Sequence, residues 1–336
     1  MQKSVIPNKY TFIIPFITNG YDGFIDFIKA YAILCVLFGH SLLPLEKLGY
    51  CLYAGIQVPL FILVQVFHCY KKELIAFDIK KIFNRIFLPF IVVETCTVVL
   101  ALSFNLYDYD TLLSILLTRG GFGNGSYYPW LYLQIALLLP LFAPLLKKLS
   151  KRTSFIAFLL ICEGIEILCS YIGISDNLYR VLAIRYIFLL YLGWQWAKEG
   201  IIINWISMLL SFISLVSIIY FEYFSVNDEP WFFFTGWSYH RWPCYFYVAY
   251  GFTSILYYVW LKIKQTKLIF EGIKILAASS YEIFLVQMTV RFFFKRETIF
   301  FINNGKLAFF LWLTIFWGVS IGGGIIMHRL IKKCSS

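Results

Sequence analysis

Charge is what this sequence lacks most. Only 14% of its 336 residues are Asp, Glu, Lys or Arg, against roughly 25% in a soluble protein, so the chain is not solvated on all sides. Its eight cysteines stand singly, mostly inside apolar runs, with no CxxC and no metal-like spacing. They read as small buried side chains, and no metal site is expected. Cys51 and Cys244 are the one pair that could meet near an outer surface. No apolar run closely repeats another and no low-complexity linker divides the chain, which leaves a single domain. Residues 11–18, TFIIPFIT, are too short and too interrupted by Pro15 for a secretory signal, so no cleaved leader is expected.

What the sequence has in abundance is apolar length: 60% of it is hydrophobic and 21% aromatic. Runs of about 20 apolar residues recur from end to end, the length that crosses a bilayer as a helix. The expectation is an all-α integral membrane protein, a bundle of about ten transmembrane helices. They lie near 24–44, 50–69, 86–106, 129–146, 153–172, 178–197, 201–221, 243–261, 273–294 and 307–328. Residues 1–21 then form a cytoplasmic N-terminal segment, 22–330 the membrane domain and 331–336 a short cytoplasmic tail. With the N-terminus inside, nineteen of the 29 Lys and Arg fall in inner segments and six in outer ones, a bias that puts both termini in the cytoplasm. The net charge of +11 therefore reads as inner-loop charge beside a lipid bilayer, and nucleic acid is not expected. Two long outer connections, 107–128 and 222–242, are rich in aromatic, polar and Gly residues. They suit either a cap over a site for a polar molecule or an interfacial aromatic belt.

The charges that do occur at bilayer depth matter because each costs about 2.5–3.5 kcal/mol at the centre. They are Lys29, His40, Glu94, Glu163, Glu166, Arg185 and Glu282, while Arg180 and Arg291 lie near span ends, where snorkelling accounts for them. Lys29 and His40 bracket an almost wholly apolar stretch in DFIKAYAILCVLFGHS, residues 26–41. Eleven residues at ~100° each bring His40 within ~20° of Lys29's direction, ~16 Å further along one helix face. Asp22 and Asp26 precede Lys29 by seven and three residues, so the face begins with carboxylates that can pair with the ammonium. A face polar from one side of the membrane most of the way to the other outlines a reaction channel. The plainer account is a His that bonds a neighbouring helix and a Lys that snorkels. An imidazole there is suited to take a proton from an alcohol, and Lys29 to hold part of an acyl donor entering from the cytoplasm. Cys35, ~140° around the helix from His40, and Ser41, ~100° around, face elsewhere, so direct transfer without an acyl-enzyme is expected.

These residues resemble the membrane acyltransferase-3 family of ten-span bacterial acyltransferases. Its first-span motif is a basic residue, ten residues and a His, here Lys29 and His40 in IDFIKAYAILCVLFGH. PLFILVQVFHCYKK (59–72) and KKIFNRIFLPF (80–90) look like the blocks that follow it. YYPWLYLQIALLLP, RYIFLLYLGWQWAKEG and SSYEIFLVQM match later blocks in order, so the resemblance covers about residues 22–330. It implies transfer of an acetyl group from acetyl-CoA to a hydroxyl of a surface polysaccharide or lipid-linked sugar, in a bacterial cytoplasmic (inner) membrane. His40 would be the general base and Lys29 its partner in the site, with Asp26, Lys81 and Arg85 binding the acyl donor. Beside the resemblance, Glu94, Arg185 and Glu282 suit either a role in positioning the acceptor or shaping the channel, or buried ion pairs that lock helices together, and Trp130 and Gln134, just inside the outer face, suit contacts to a sugar acceptor. Ile82 stands where relatives carry the first of two Arg residues, so Lys81 would replace it without a guanidinium's bidentate fork. Gln287 stands where many relatives carry His. Many relatives also append an outer hydrolase-like domain; this chain, ending at Ser336, would act alone or with a separate partner. Neither the acceptor nor the oligomeric state follows from these residues. The rival expectation is a transporter or flippase for a lipid-linked sugar or related anion; the single occurrence of the Lys29–His40 block, with no second-half counterpart, argues against it.

Overall fold

Apolar runs rich in Leu, Ile and Phe become helices, and every one of the ten stretches above carries helix in the structure. The computed structural model describes residues 11–15, 22–41, 55–71, 79–123, 125–148, 150–174, 176–223, 241–293 and 305–335. A short strand β1 (Phe12–Ile14) leads to α1 (Gly23–Ser41) and α2 (Gln57–Lys71). Next, α3 (Ile79–Ile82) passes through a π turn (Phe83–Phe87) into α4 (Leu88–Ser103). There follow α5 (Tyr109–Arg119), α6 (Tyr128–Lys148), α7 (Lys151–Ile172), α8 (Asp176–Val181), a 3-10 turn (Ala183–Tyr186) and α9 (Ile187–Glu199). Strand β2 (Ile201–Ile203) precedes α10 (Trp205–Tyr223). Then α11 (Arg241–Phe246) runs through a π turn (Tyr247–Phe252) into α12 (Thr253–Ile263), and α13 (Lys267–Ala278), α14 (Ser280–Phe293) and α15 (Gly305–Ser335) complete the chain.

Among the described residues, four helical stretches are long and apolar enough to cross a membrane: Gly23–Ser41, Phe83–Ser103, Tyr128–Leu146 and Leu307–Lys333. Their outward faces carry large apolar side chains, among them Leu102, Leu141, Phe310 and Ile326, more exposed hydrocarbon than water tolerates in contiguous patches. The fold is that of an all-α membrane protein. α1 differs from the other three: 61% of its apolar window is buried inside the protein, against 33%, 33% and 22%. It is packed by α2, α13 and α14, so the polar groups it carries face protein rather than lipid.

The chain departs from unbroken spans in three places. Ile201–Ile203 pairs antiparallel with Phe12–Ile14, Ile14 lying opposite Ile201, so the helix expected from residue 201 starts at Trp205. Asn204 begins it with a reciprocal cap: its Oδ1 accepts from Ser207 N at 2.8 Å, and Ser207 Oγ accepts from Asn204 N at 2.9 Å. The span expected at 178–197 is broken at Leu182, whose backbone is extended. The one expected at 273–294 is broken at Ser279. There the hydroxyls of Ser279 and Ser280 turn back onto the carbonyls of Ile275 and Ala277 and compete with the helix's own bonds. The π turn at Phe83–Phe87 precedes Pro89, which has no N–H to return to the preceding turn.

Candidate active site

The polar face of α1 is built from its first turn. Asp22 closes the helix start, its Oδ1 accepting from Phe24 N at 3.1 Å and Ile25 N at 3.4 Å. Asp26 pairs with Lys29, Nζ to Oδ1 at 3.2 Å, both half-buried. Of the two carboxylates expected near the ammonium, Asp26 makes the contact and Asp22 caps the helix. Three turns on, His40 Nδ1 lies 2.7 Å from Oε1 of Gln287 on α14. An amide oxygen only accepts, so Nδ1 is the donor in this contact, and in the neutral ring the lone pair then sits on Nε2. Ser41 Oγ bonds the Leu37 carbonyl at 2.7 Å and accepts from Trp317 Nε1 at 3.1 Å. Both the hydroxyl of Ser41 and the buried thiol of Cys35 lie off the line from Lys29 to His40.

The same seam continues between α14 and α15. Glu282 is buried, and its Oε1 lies 3.0 Å from Nδ1 of His328 on α15. Near the other end of the seam Arg291, half-buried, stands over the Trp312 ring at 5.6 Å, within electrostatic reach of His40. The two helices run antiparallel, since Glu282 meets His328 and Arg291 meets Trp312. Gly324 permits their closest approach: a Cβ on it would lie 2.5 Å from Ile283 Cα. His40, Gln287, Glu282 and His328 thus line one α1–α14–α15 seam, with the Lys29–Asp26 pair at the start of α1.

The remaining candidates are placed elsewhere and hold backbone. Glu94 is buried on α4 and accepts from Phe122 N at 2.9 Å. It fixes the turn after α5, where Gly121 (φ 148°) passes so close that a Cβ would sit 2.9 Å from Glu94 Oε1. Trp130 donates from Nε1 to Gly120 O at 2.7 Å and meets Phe87 edge-on at 5.4 Å. Gln134 is engaged at both ends of its amide: Nε2 donates to Val181 O at 2.8 Å and Oε1 accepts from Ala183 N at 3.2 Å. That explains the break at Leu182 without Gly or Pro, because a side chain from α6 replaces the lost helix bonds on either side of it. Arg185, buried in the 3-10 turn, lies over the rings of Tyr179 and Tyr186 at 4.5 and 4.7 Å. Arg85 is exposed, and the side chain of Lys81 lies outside the described residues, as do Cys51 and most of 222–242. Cys244 Sγ bonds the Gly55 carbonyl. Among the described residues no three His, Cys, Asp or Glu side chains gather as a metal site would need.

Sequence reasoning missed Gln287 as a partner of His40 and did not single out His328 or Ser320. Gln287 was visible only as a substitution, and the partnership of His328 with Glu282 joins residues 46 positions apart. No protein-family model, curated protein or solved structure matches the chain.

Proposed function

We propose that the protein is a membrane-bound O-acyltransferase that moves an acyl group, in the simplest case acetyl from cytoplasmic acetyl-CoA, to a hydroxyl of a surface polysaccharide or lipid-linked sugar. The observation that carries this reading is the His40–Gln287 contact: a half-buried imidazole, its Nδ1–H held by an amide oxygen, which in the neutral ring leaves the Nε2 lone pair to take a proton. The half-buried Lys29–Asp26 pair three turns away on the same helix supplies a cation toward the proposed cytoplasmic end, where the polyanionic donor would enter. Ten spans, both termini inside and a bacterial inner membrane complete the proposal, from apolar length and the Lys/Arg asymmetry. The resemblance of the Lys29–His40 block to membrane acyltransferases supports the same chemistry.

In the reaction His40 Nε2 takes the acceptor hydroxyl's proton as its oxygen bonds the acyl carbon. The carbon–sulfur bond then breaks, and the proton passes to the departing thiolate to give free CoA. The test is CoA thiol release from acetyl-CoA with a surface-glycan acceptor, by purified wild type and His40→Ala. Release that disappears in a well-folded His40→Ala supports the reading, and equal release from both removes His40 from it.

A second reading is favoured by one observation, the helix breaks at Leu182 and Ser279, because interrupted helices line the binding sites of carriers. A carrier for a lipid-linked sugar moves substrate across vesicles without releasing CoA, so the two readings part on that assay.

A further inference from the structure

Most buried hydroxyls on the helices of this protein are quenched by their own backbone. Ser41, Thr97 and Ser214 each donate to the carbonyl four residues earlier. Ser320 on α15 does not: its Oγ is fully buried and has no hydrogen-bond partner among the described residues. The same holds for Nε2 of Gln287, also fully buried, although the other end of that amide is held by His40.

The two donors stand at one level. Gly324 abuts Ile283, and Gly323 abuts Val286. One turn onward from Ile283 in α14 is Gln287, and one turn back from Gly324 in the antiparallel α15 is Ser320. Trp317, one turn before Ser320 on α15, donates to Ser41 beside His40, so α1 reaches this level too. Amide N–H groups and a hydroxyl buried without acceptors among the described residues, one of them on the side chain that holds His40, are donors that a bound oxygen can satisfy. Donors aimed at the place where negative charge develops are what acyl transfer requires.

We propose that Gln287 Nε2 and Ser320 Oγ bind the carbonyl oxygen of the acyl group and stabilise the oxyanion that forms on it. This rests on the acyltransferase reading and adds two residues to it. As the acceptor oxygen attacks and His40 takes its proton, the carbonyl π electrons move onto the oxygen held by these donors. They return when the carbon–sulfur bond breaks, and His40 gives its proton to the sulfur. Gln287 then has two tasks, fixing the proton on His40 Nδ1 through Oε1 and holding the acyl oxygen through Nε2.

The test uses the full chain and two variants, Gln287→Met and Ser320→Ala, with two readouts. The first is CoA release: kcat is expected to fall about 10²–10³-fold in Gln287→Met and less in Ser320→Ala, with KM for acetyl-CoA little changed. The second needs no turnover. The infrared stretch of a 13C-labelled ketone in a non-transferable acetonyl-CoA is expected at lower frequency when bound to wild type, and to move back up in each variant. Without ligand Ser320→Ala is expected to unfold no lower than wild type, because it removes only an unsatisfied donor, whereas Gln287→Met also takes the acceptor from His40 Nδ1–H and is expected to unfold somewhat lower. Turnover within twofold of an active wild type, or an unchanged bound carbonyl frequency, overturns this inference and leaves the acyltransferase reading intact. A wild type that neither releases CoA nor binds the analogue overturns both. Ser320→Ala unchanged in both readouts, with the carbonyl frequency also unchanged in Gln287→Met, makes the amide a partner of His40 alone and also overturns it.

Discussion

Gln134 and Gln287 are the same residue type in the same apolar interior, put to opposite uses. Gln134 is saturated: its two amide ends bridge the backbone on either side of Leu182, and the broken helix depends on it. Gln287 is half-used, with its oxygen on His40 and its nitrogen without a partner. A buried polar group that satisfies everything around it is part of the scaffold. One left incomplete beside an imidazole is a place where the protein awaits something else. The same division separates the Glu94–Trp130 turn, closed by backbone bonds, from the α1–α14–α15 seam.

The sharpest break of that comparison is His40→Ala. It removes the base while leaving the scaffold region untouched, and CoA release is expected to fall about 10²–10⁴-fold, with only the modest drop in unfolding temperature that losing the Gln287 contact brings. CoA release that falls only in proportion to the folded fraction would place His40 with the scaffold. Next comes Gln134→Leu, the mirror experiment. It leaves Val181 O and Ala183 N without their partner and should cost about 1–3 kcal/mol, read as a lower unfolding temperature in detergent. KM and kcat of the surviving protein should stay near wild type. Gly324→Ala tests the seam itself, since the new Cβ would overlap Ile283. Forcing α14 and α15 apart should cost about 1–3 kcal/mol and reduce activity by shifting Ser320 away from Gln287. Unchanged stability there would contradict the close approach of the two helices.

The smallest effect lies outside both regions. Asp108 caps exposed α5, accepting from Thr111 N at 2.7 Å, and that bond holds its carboxyl below the usual carboxylate range. A carboxyl lowered by folding stabilises above its unfolded value and loses that contribution as pH falls through the folded one. Protection of the first-turn amides of α5 from exchange, taken relative to their intrinsic rate at each pH, should therefore fall on acidification, and should be low and insensitive to this step in Asp108→Ala.

How much of this could be read beforehand depends on where each partner sits. Lys29, Asp26 and His40 lie on one helix, so 3.6-residue periodicity suffices to align them, and the structure has Asp26 on Lys29. Apolar length was enough to find helix in all ten stretches. The partner of Glu94 is a backbone N–H, Phe122, which every residue but proline offers, so nothing in the residue types marks it. Leu182 has neither Gly nor Pro to announce a break, because the break is made by Gln134 from another helix. The partnership of His328 with Glu282 and the shared level of Ser320 and Gln287 exist only once α14 and α15 pack antiparallel.

By itself the sequence determined the class of protein and the composition of its first helix. Too few charges to coat a soluble surface, and apolar runs of membrane length, follow from transfer free energies that act residue by residue. Only the tertiary structure decided which polar groups are complete and which are left open, because hydrogen bonding between helices depends on their register. That register is set by packing such as Gly324 against Ile283, which no single segment contains.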